Sequence, residues 1–267
     1  MLIVGERINT SRKAIQPAVE SRDAEFIVDT AKKQVEAGAK YIDANAGTLL
    51  AGEPDALEWL VKTIQGAVDV PVCIDSPSPV AIERALAVHK GQPMINSITA
   101  EKDRFAGIAP LVKEYGAKVI ALAMGDGGIP ENAEGRLKVA SELIDKLTAM
   151  GIPVSDIYVD PLVYPIANGP AYGRAVLETI RTVKAEYPGV HAICGLSNVS
   201  HGLPIRKLIN QAFLVMCVES GLDAAIIDPL DSRLVSLIYA SEAIIGCDEY
   251  CMNYLTASRE GKFEGVV

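Results

Sequence analysis

The chain has 267 residues and a formal net charge of −9, from 25 Lys+Arg against 34 Asp+Glu, and 49% of it is hydrophobic. Such a composition feeds a large core and excludes disorder, while no apolar run approaches the ~18 residues of a membrane span. The acidic balance, the 5% of aromatics and the five unevenly spaced cysteines argue against a nucleic-acid groove and a disulfide scaffold, and favour a reducing, cytoplasmic setting.

The chain opens on Met1-Leu2-Ile3-Val4-Gly5-Glu6-Arg7, an early charge pair with no basic start, unlike a secretory signal. Residues 2–7 read as a strand, and an amphipathic segment over 24–37 reads as the helix after it. The alternation repeats. Strands are expected at 41–46, 71–76, 94–99, 118–124, 157–162, 191–198 and 224–229. Helical periodicity runs over 56–67, 80–89, 108–115, 135–150, 175–187, 206–220 and 234–245. Gly38, Gly116 and Gly221 stand where left-handed caps turn a helix into the next strand. Pro71 and Pro93 stand at strand edges. Eight strand–helix repeats in a chain of this length predict an α/β fold, a single (β/α)8 TIM barrel over residues 1–267. A doubly wound open sheet would need fewer strands, and no G-x-G-x-x-G follows any of them.

Barrel enzymes carry their chemistry at the carboxyl ends of the strands. In order, those ends present Glu6 with Asn9, Asp43 with Asn45, Asp75-Ser76, Asn96-Ser97, Met124 with Asp126, Asp160-Pro161, Ser197-Asn198 and Asp228-Pro229. Helix capping explains one or two such acids, but not Asp75 and Asp160 set directly after buried-type β-branched residues. The three histidines form no H-x-H or H-E-x-x-H, no lysine ends the sixth strand, and no G-x-S-x-G occurs, so zinc, Schiff-base and serine nucleophile chemistry lose their signatures. What remains is a mouth of carboxylates and amides with few cations. Carboxylates accept and amides do both, which suits a neutral heterocycle with several N–H donors, such as the aminopyrimidine edge of a pterin. Magnesium is the rival ligand for Asp43, Asp75 and Asp160.

Five segments, on five different strand ends, together resemble the methyltetrahydrofolate–corrinoid methyltransferases, over essentially the whole length. They are Gly5-Glu6-Arg7-Ile8-Asn9, Cys73-Ile74-Asp75-Ser76, Ile95-Asn96-Ser97-Ile98, Asp160-Pro161 and Gly195-Leu196-Ser197-Asn198-Val199-Ser200. That family includes the folate domain of cobalamin-dependent methionine synthase. The resemblance implies pterin ligands at Asp75, Asn96 and Asp160, a residue near the reacting N5 at Asn198, and a folate-contacting arginine at Arg206. Glu6, Asp43, Gly195, Ser197 and His201 complete the folate-binding set it implies. It implies methyl transfer between N5 of tetrahydrofolate (as 5-methyltetrahydrofolate) and the cobalt of a corrinoid, cobalamin or a relative, carried by a transient partner protein. No metal bound by this chain is expected. Dihydropteroate synthases share the barrel and pocket, but carry a Ser-Arg-Lys type motif where this chain reads Ser197-Asn198-Val199-Ser200. A dihydropteroate-synthase-like enzyme and a non-catalytic folate-binding barrel are the alternatives. The chain departs from the family at His201-Gly202 and at Gly125-Asp126-Gly127-Gly128.

Other features read as structural. His201 is expected on the surface, Cys73, Cys194 and Cys217 in the core, Cys247 and Cys251 four apart on one helix face, and Trp59 in helix packing. Apolar outer helices over 212–218 and 234–245 predict a two-fold homodimer.

Overall fold

A computed structural model describes residues 1–266. The strands are β1 (Leu2–Asn9), β2 (Tyr41–Asn45), β3 (Val72–Asp75), β4 (Met94–Ile98), β5 (Lys118–Leu122), β6 (Ile157–Asp160), β7 (His191–Ala192) and β8 (Ala224–Ile227). The helices are α1 (Ile15–Glu20), α2 (Ala24–Glu36), α3 (Glu53–Gln65), α4 (Pro79–Leu86), α5 (Lys102–Tyr115), α6 (Ala133–Ala149), α7 (Tyr172–Glu186), α8 (Arg206–Glu219), α9 (Ser232–Ile244) and α10 (Met252–Arg259). All strand pairings are parallel, in the order β7-β6-β5-β4-β3-β2-β1-β8. The ring closes between β7 and β8, where the Ile226 N–H donates to the Cys194 carbonyl (3.0 Å) and Gly195 bridges to Ile226. Lower on the same seam, the Asp223 carboxylate accepts the Ala192 N–H at 2.8 Å. This is the expected (β/α)8 barrel.

The core has two parts. Most apolar residues fill the shell between sheet and helices, such as Ile42, Ile74 and Val119 from the strands and Leu57, Leu60 and Leu143 from the helices. A smaller set fills the barrel interior: Val4, Tyr41, Cys73, Met94, Ile120, Tyr158, Ile193, Ala224 and Ile226. Period-two alternation along each strand produces this division. Gly116 takes φ +56 as the left-handed cap of α5, and Gly38 and Gly221 also have positive φ, as their positions after helices predicted.

Three expectations need correction. The seventh strand was expected over 191–198, but only His191–Ala192 pairs as a strand. Beyond Gly195 the chain coils into a 3-10 turn, Leu196–Ser200, because the Asn198 N–H finds its partner locally on the Gly195 carbonyl. Helix α5 starts at Lys102 rather than 108, which adds a turn carrying Arg104 and Gly107. Cys247 and Cys251 share no helix face: Cys251 has φ +56 in a 3-10 segment before α10. Cys73, Cys194 and Cys217 are buried, as small core residues should be. Trp59 is partly buried with the Arg22 guanidinium 5.0 Å from its ring.

Candidate active site

The site is the next inward layer of the barrel. Two residues beyond Val4, Tyr41, Cys73, Met94, Ile120, Tyr158 and Ile193, on the same strand faces, come Glu6, Asp43, Asp75, Asn96, Leu122, Asp160 and Gly195. All seven line one cavity of about 400 Å³ at the carboxyl end of the barrel. Ser197, Asn198, Asn9 and Arg12 form its rim, with Leu162 and Ile226 as apolar walls.

Hydrogen bonds aim the floor. The Asn45 amide donates to Asp75 Oδ2 at 2.9 Å, leaving the other carboxylate oxygen for a ligand. Asn96 Nδ2 donates to Asp43 Oδ1 at 3.3 Å, which fixes the amide so that its carbonyl oxygen is the free end. Asp160 Oδ1 accepts the Leu162 N–H at 2.7 Å. That tight turn sets Leu162 at φ +60, a conformation costing a non-glycine residue on the order of 1 kcal/mol, and puts its side chain on the cavity wall. A Cβ at 195 would lie 3.2 Å from Asn198 Nδ2, so a side chain there would press the Asn198 amide to shift. On β1 the ladder slips between Gly5 and Ile8, and Gln34 Oε1 takes the freed Arg7 N–H at 3.0 Å. Glu6, within that slip, reaches the cavity and pairs with Arg12 at 2.7 Å.

Burial governs the charge of this floor. Desolvation pushes Asp160 up to about 7 and Asp75 up to about 6. Asp43 is raised well above the usual carboxylate range, first by burial and then by the neighbouring Asp75 charge. Glu6 is raised by burial against the opposing pull of Arg12. Carboxyls this dry, two of them adjacent, hold protons near neutrality, and a ligand that brings N–H donors would draw them to the ionised, accepting form. Among the described residues no three carboxylate, imidazole or thiolate groups converge as a metal-binding cluster. Each floor carboxylate instead answers to its own hydrogen-bond partner.

The cavity thus brings together Glu6, Asp43, Asp75, Asn96, Asp160, Gly195, Ser197 and Asn198. Two residues of the expected set lie outside it. His201 is exposed at the end of the 3-10 turn. Arg206 donates to the Ser197 carbonyl (2.7 Å) and Ser200 Oγ (3.0 Å), and lines an adjoining groove of about 570 Å³ with Arg7, Lys207 and Asp228. Asp126, expected in the strand-end ring, sits exposed in the Gly125–Gly128 turn, and Leu122 holds the inward position. Sequence reasoning undervalued Arg12: its place after the first strand was legible, its reach to the mouth was not.

A family model described as "Pterin binding enzyme" matches residues 5–228. The chain is 33% identical to a methylcorrinoid:tetrahydrofolate methyltransferase of Eubacterium limosum, over 100% of this chain and 99% of that protein. It is 31% identical to methionine synthase of Mycobacterium tuberculosis over 85% of this chain, which is 20% of that larger protein. Among solved structures it resembles a Yersinia pestis dihydropteroate synthase bound to a pterin–sulfa conjugate, with TM-score 0.69 and 16% identity over 92% of this chain and 94% of that one. A Xanthomonas albilineans dihydropteroate synthase matches with TM-score 0.69 and 16% identity over 93% and 92%. At such identities the structures speak for the barrel fold.

Proposed function

The chain belongs to the pterin-binding enzyme family, and we propose that it moves a methyl group between N5 of tetrahydrofolate and the cobalt of a corrinoid held by a partner protein. The observation that carries this reading is the row of Asp75, Asn96 and Asp160 on the cavity floor with the Asn198 amide exposed on its rim, in a chain matched end to end by a methylcorrinoid:tetrahydrofolate methyltransferase.

In this reading the carboxylates of Asp75 and Asp160 accept pterin N–H groups, and the Asn96 carbonyl oxygen, freed by Asp43, accepts another. They bind and orient. Cobalt(I) of the second substrate supplies the electron pair for the new cobalt–carbon bond. N5 of 5-methyltetrahydrofolate first takes a proton from solvent; the carbon–nitrogen bond then breaks with its pair left on N5, giving neutral tetrahydrofolate and methylcobalt(III). Asn198 accepts a hydrogen bond from that proton, which favours the protonated N5 of the transition state over unprotonated 5-methyltetrahydrofolate, a tertiary amine with no N5–H to donate. The reverse direction uses the same contacts. The protein needs no nucleophile of its own. Arg206, tethered to the Ser197 and Ser200 turn outside the cavity, would meet the part of folate that leaves the mouth.

The Ser-Arg-Lys type motif with which dihydropteroate synthases would meet an anionic leaving group is replaced here by Ser197-Asn198-Val199-Ser200. A non-catalytic folate barrel gives the exposed Asn198 no task. The test is spectral. The full chain mixed with tetrahydrofolate and methylcobalamin should generate cob(I)alamin absorbance at a rate proportional to protein. A flat trace with demonstrated folate binding would leave only the non-catalytic reading.

The homodimer belongs to this proposal as well. Helix α9 is mostly covered, because the carboxyl-terminal segment folds over it through the Tyr239–Phe263 ring contact at 5.8 Å. Helix α8 instead shows Leu208, Val215 and Met216 to solvent along one stripe, with Ile205 at its start. Light scattering at micromolar concentration should return twice the chain mass. Leu208→Glu with Met216→Glu should return one chain mass, and a monomeric wild type would overturn the pairing.

A further inference from the structure

We propose that Arg104 is a positioning residue that sets the spacing of Asp75 and Asn96, and through them the affinity for the pterin. The inference rests on the folate reading above. The backbone ladder between β3 and β4 ends where the Ser76 N–H donates to the Asn96 carbonyl at 3.1 Å. Beyond that rung the two chains part, directly after the two residues that have to hold the ligand: the first enters its loop, and β4 passes a register shift at Ser97 before Ile98 pairs with Ala121 of β5. Arg104 spans the gap. Its Nε donates to the Ser97 carbonyl at 2.9 Å, and Nη2 donates to the same carbonyl and to that of Ser76 at 2.8 Å. Its Nη1 donates to the Pro77 carbonyl. Every nitrogen of the guanidinium is therefore spent on main-chain carbonyls of these two parting segments. A planar fork of fixed geometry holds such acceptors at set distances, which a flexible ammonium cannot do.

The rest of the local sequence is built to bring the fork there. Gly107 lies one turn after Arg104, on the same face of α5. A Cβ at 107 would meet Pro79 Cγ, at the start of α4, at 3.0 Å. The missing side chain lets α5 approach α4 and the β3 loop closely. On the other side of Ser76, the Ser76 hydroxyl donates to the buried Glu53 Oε1 at 2.6 Å. The segment after Asp75 is thus pinned from both flanks, whereas the segment after Asn96 has Arg104 as its side-chain tether. Arg104 lines an outer hollow with Pro77, Pro79 and Asp126 and takes no part in lining the pterin cavity, so it acts through its neighbours.

The test is a double-mutant cycle by equilibrium titration of the full chain with tetrahydrofolate. Arg104→Gln should weaken binding about tenfold, in the range expected when a cluster of charged hydrogen bonds is lost near a site. Arg104→Lys, with the charge kept and the fork lost, should recover part of that and fall short of wild type. In an Asp75→Ala and Asn96→Ala background, Arg104→Gln should change affinity by no more than about twofold, because the residues it positions are gone. An undiminished tenfold effect in that background would mark general damage and overturn the inference, as would wild-type affinity in Arg104→Gln. If Arg104→Gln melts early, the same cycle is run with Arg104→Lys. The two readings separate cleanly. Unchanged affinity in Asp75→Ala would overturn the folate site itself, while a large Asp75 effect with none at Arg104 overturns this inference alone.

Discussion

Asn198→Ala should slow single-turnover methyl transfer by about 10²–10³-fold while changing tetrahydrofolate affinity far less. The size is that of removing one preorganised partner of a developing charge. The asymmetry follows from position: Asp75, Asn96 and Asp160 sit on the floor, where the proposed function has them hold the pterin, while Asn198 stands exposed on the rim, carried by the turn after Gly195. An interaction made chiefly in the transition state lowers the rate at saturation, and one made equally in the ground state would raise KM instead. Transfer is measured at saturating folate, with separate equilibrium titrations. A near wild-type rate would reduce Asn198 to a piece of pocket wall and remove the central step of the mechanism.

Tetrahydrofolate affinity should fall steeply as pH drops from 8 to 5. Burial holds Asp160 at about 7 and Asp75 at about 6 in the free protein. Pterin N–H groups need the carboxylate form, so protonation competes with binding. Below each group's value the apparent Kd should rise by up to about tenfold per pH unit, because a proton must leave before the ligand is held. Binding at pH 6 should release protons, visible by calorimetry in buffers of different ionisation enthalpy. The opposite sign applies to folding. A carboxyl raised above its unfolded value of about 3.9 favours the folded state most at low pH, and that contribution is lost as pH rises through about 7. Asp160→Asn should therefore bind folate poorly, at least tenfold weaker, yet melt a few degrees higher than wild type at pH 8, with the advantage shrinking toward pH 4. A pH-independent Kd would show that these acids do not face the pterin.

The residues of the floor could be read from the sequence because each follows a short buried run, and the strand period carries the next inward side chain to the mouth. Asp75 after Cys73 and Asp160 after Tyr158 are both of this kind. Leu122 was missed in favour of Asp126 because β5 stops at Leu122 and the glycine-rich turn carries Asp126 outward. Arg206 and His201 fell outside the cavity because a 3-10 turn replaced the end of the seventh strand and reset the direction of everything after it. Arg12 and Arg104 were illegible for a different reason. Long side chains from a loop and a helix reach across several ångströms, and no periodicity records where their ends arrive.

The closure between β7 and β8 gives the barrel an uneven wall. The other neighbouring strands pair over three or four residues, but β7 offers only His191–Ala192 to its neighbours, and above it the join to β8 depends on the Cys194–Ile226 contact beneath Gly195. That thin stave carries Asn198, whereas Asp75 and Asn96 stand across the barrel on strands that pair with both neighbours, with one register shift just after Asn96. In the proposed reaction, a macrocycle delivered on another protein would therefore meet the rim at its least laddered point, while the groups expected to bind the pterin stand on strands joined to both neighbours.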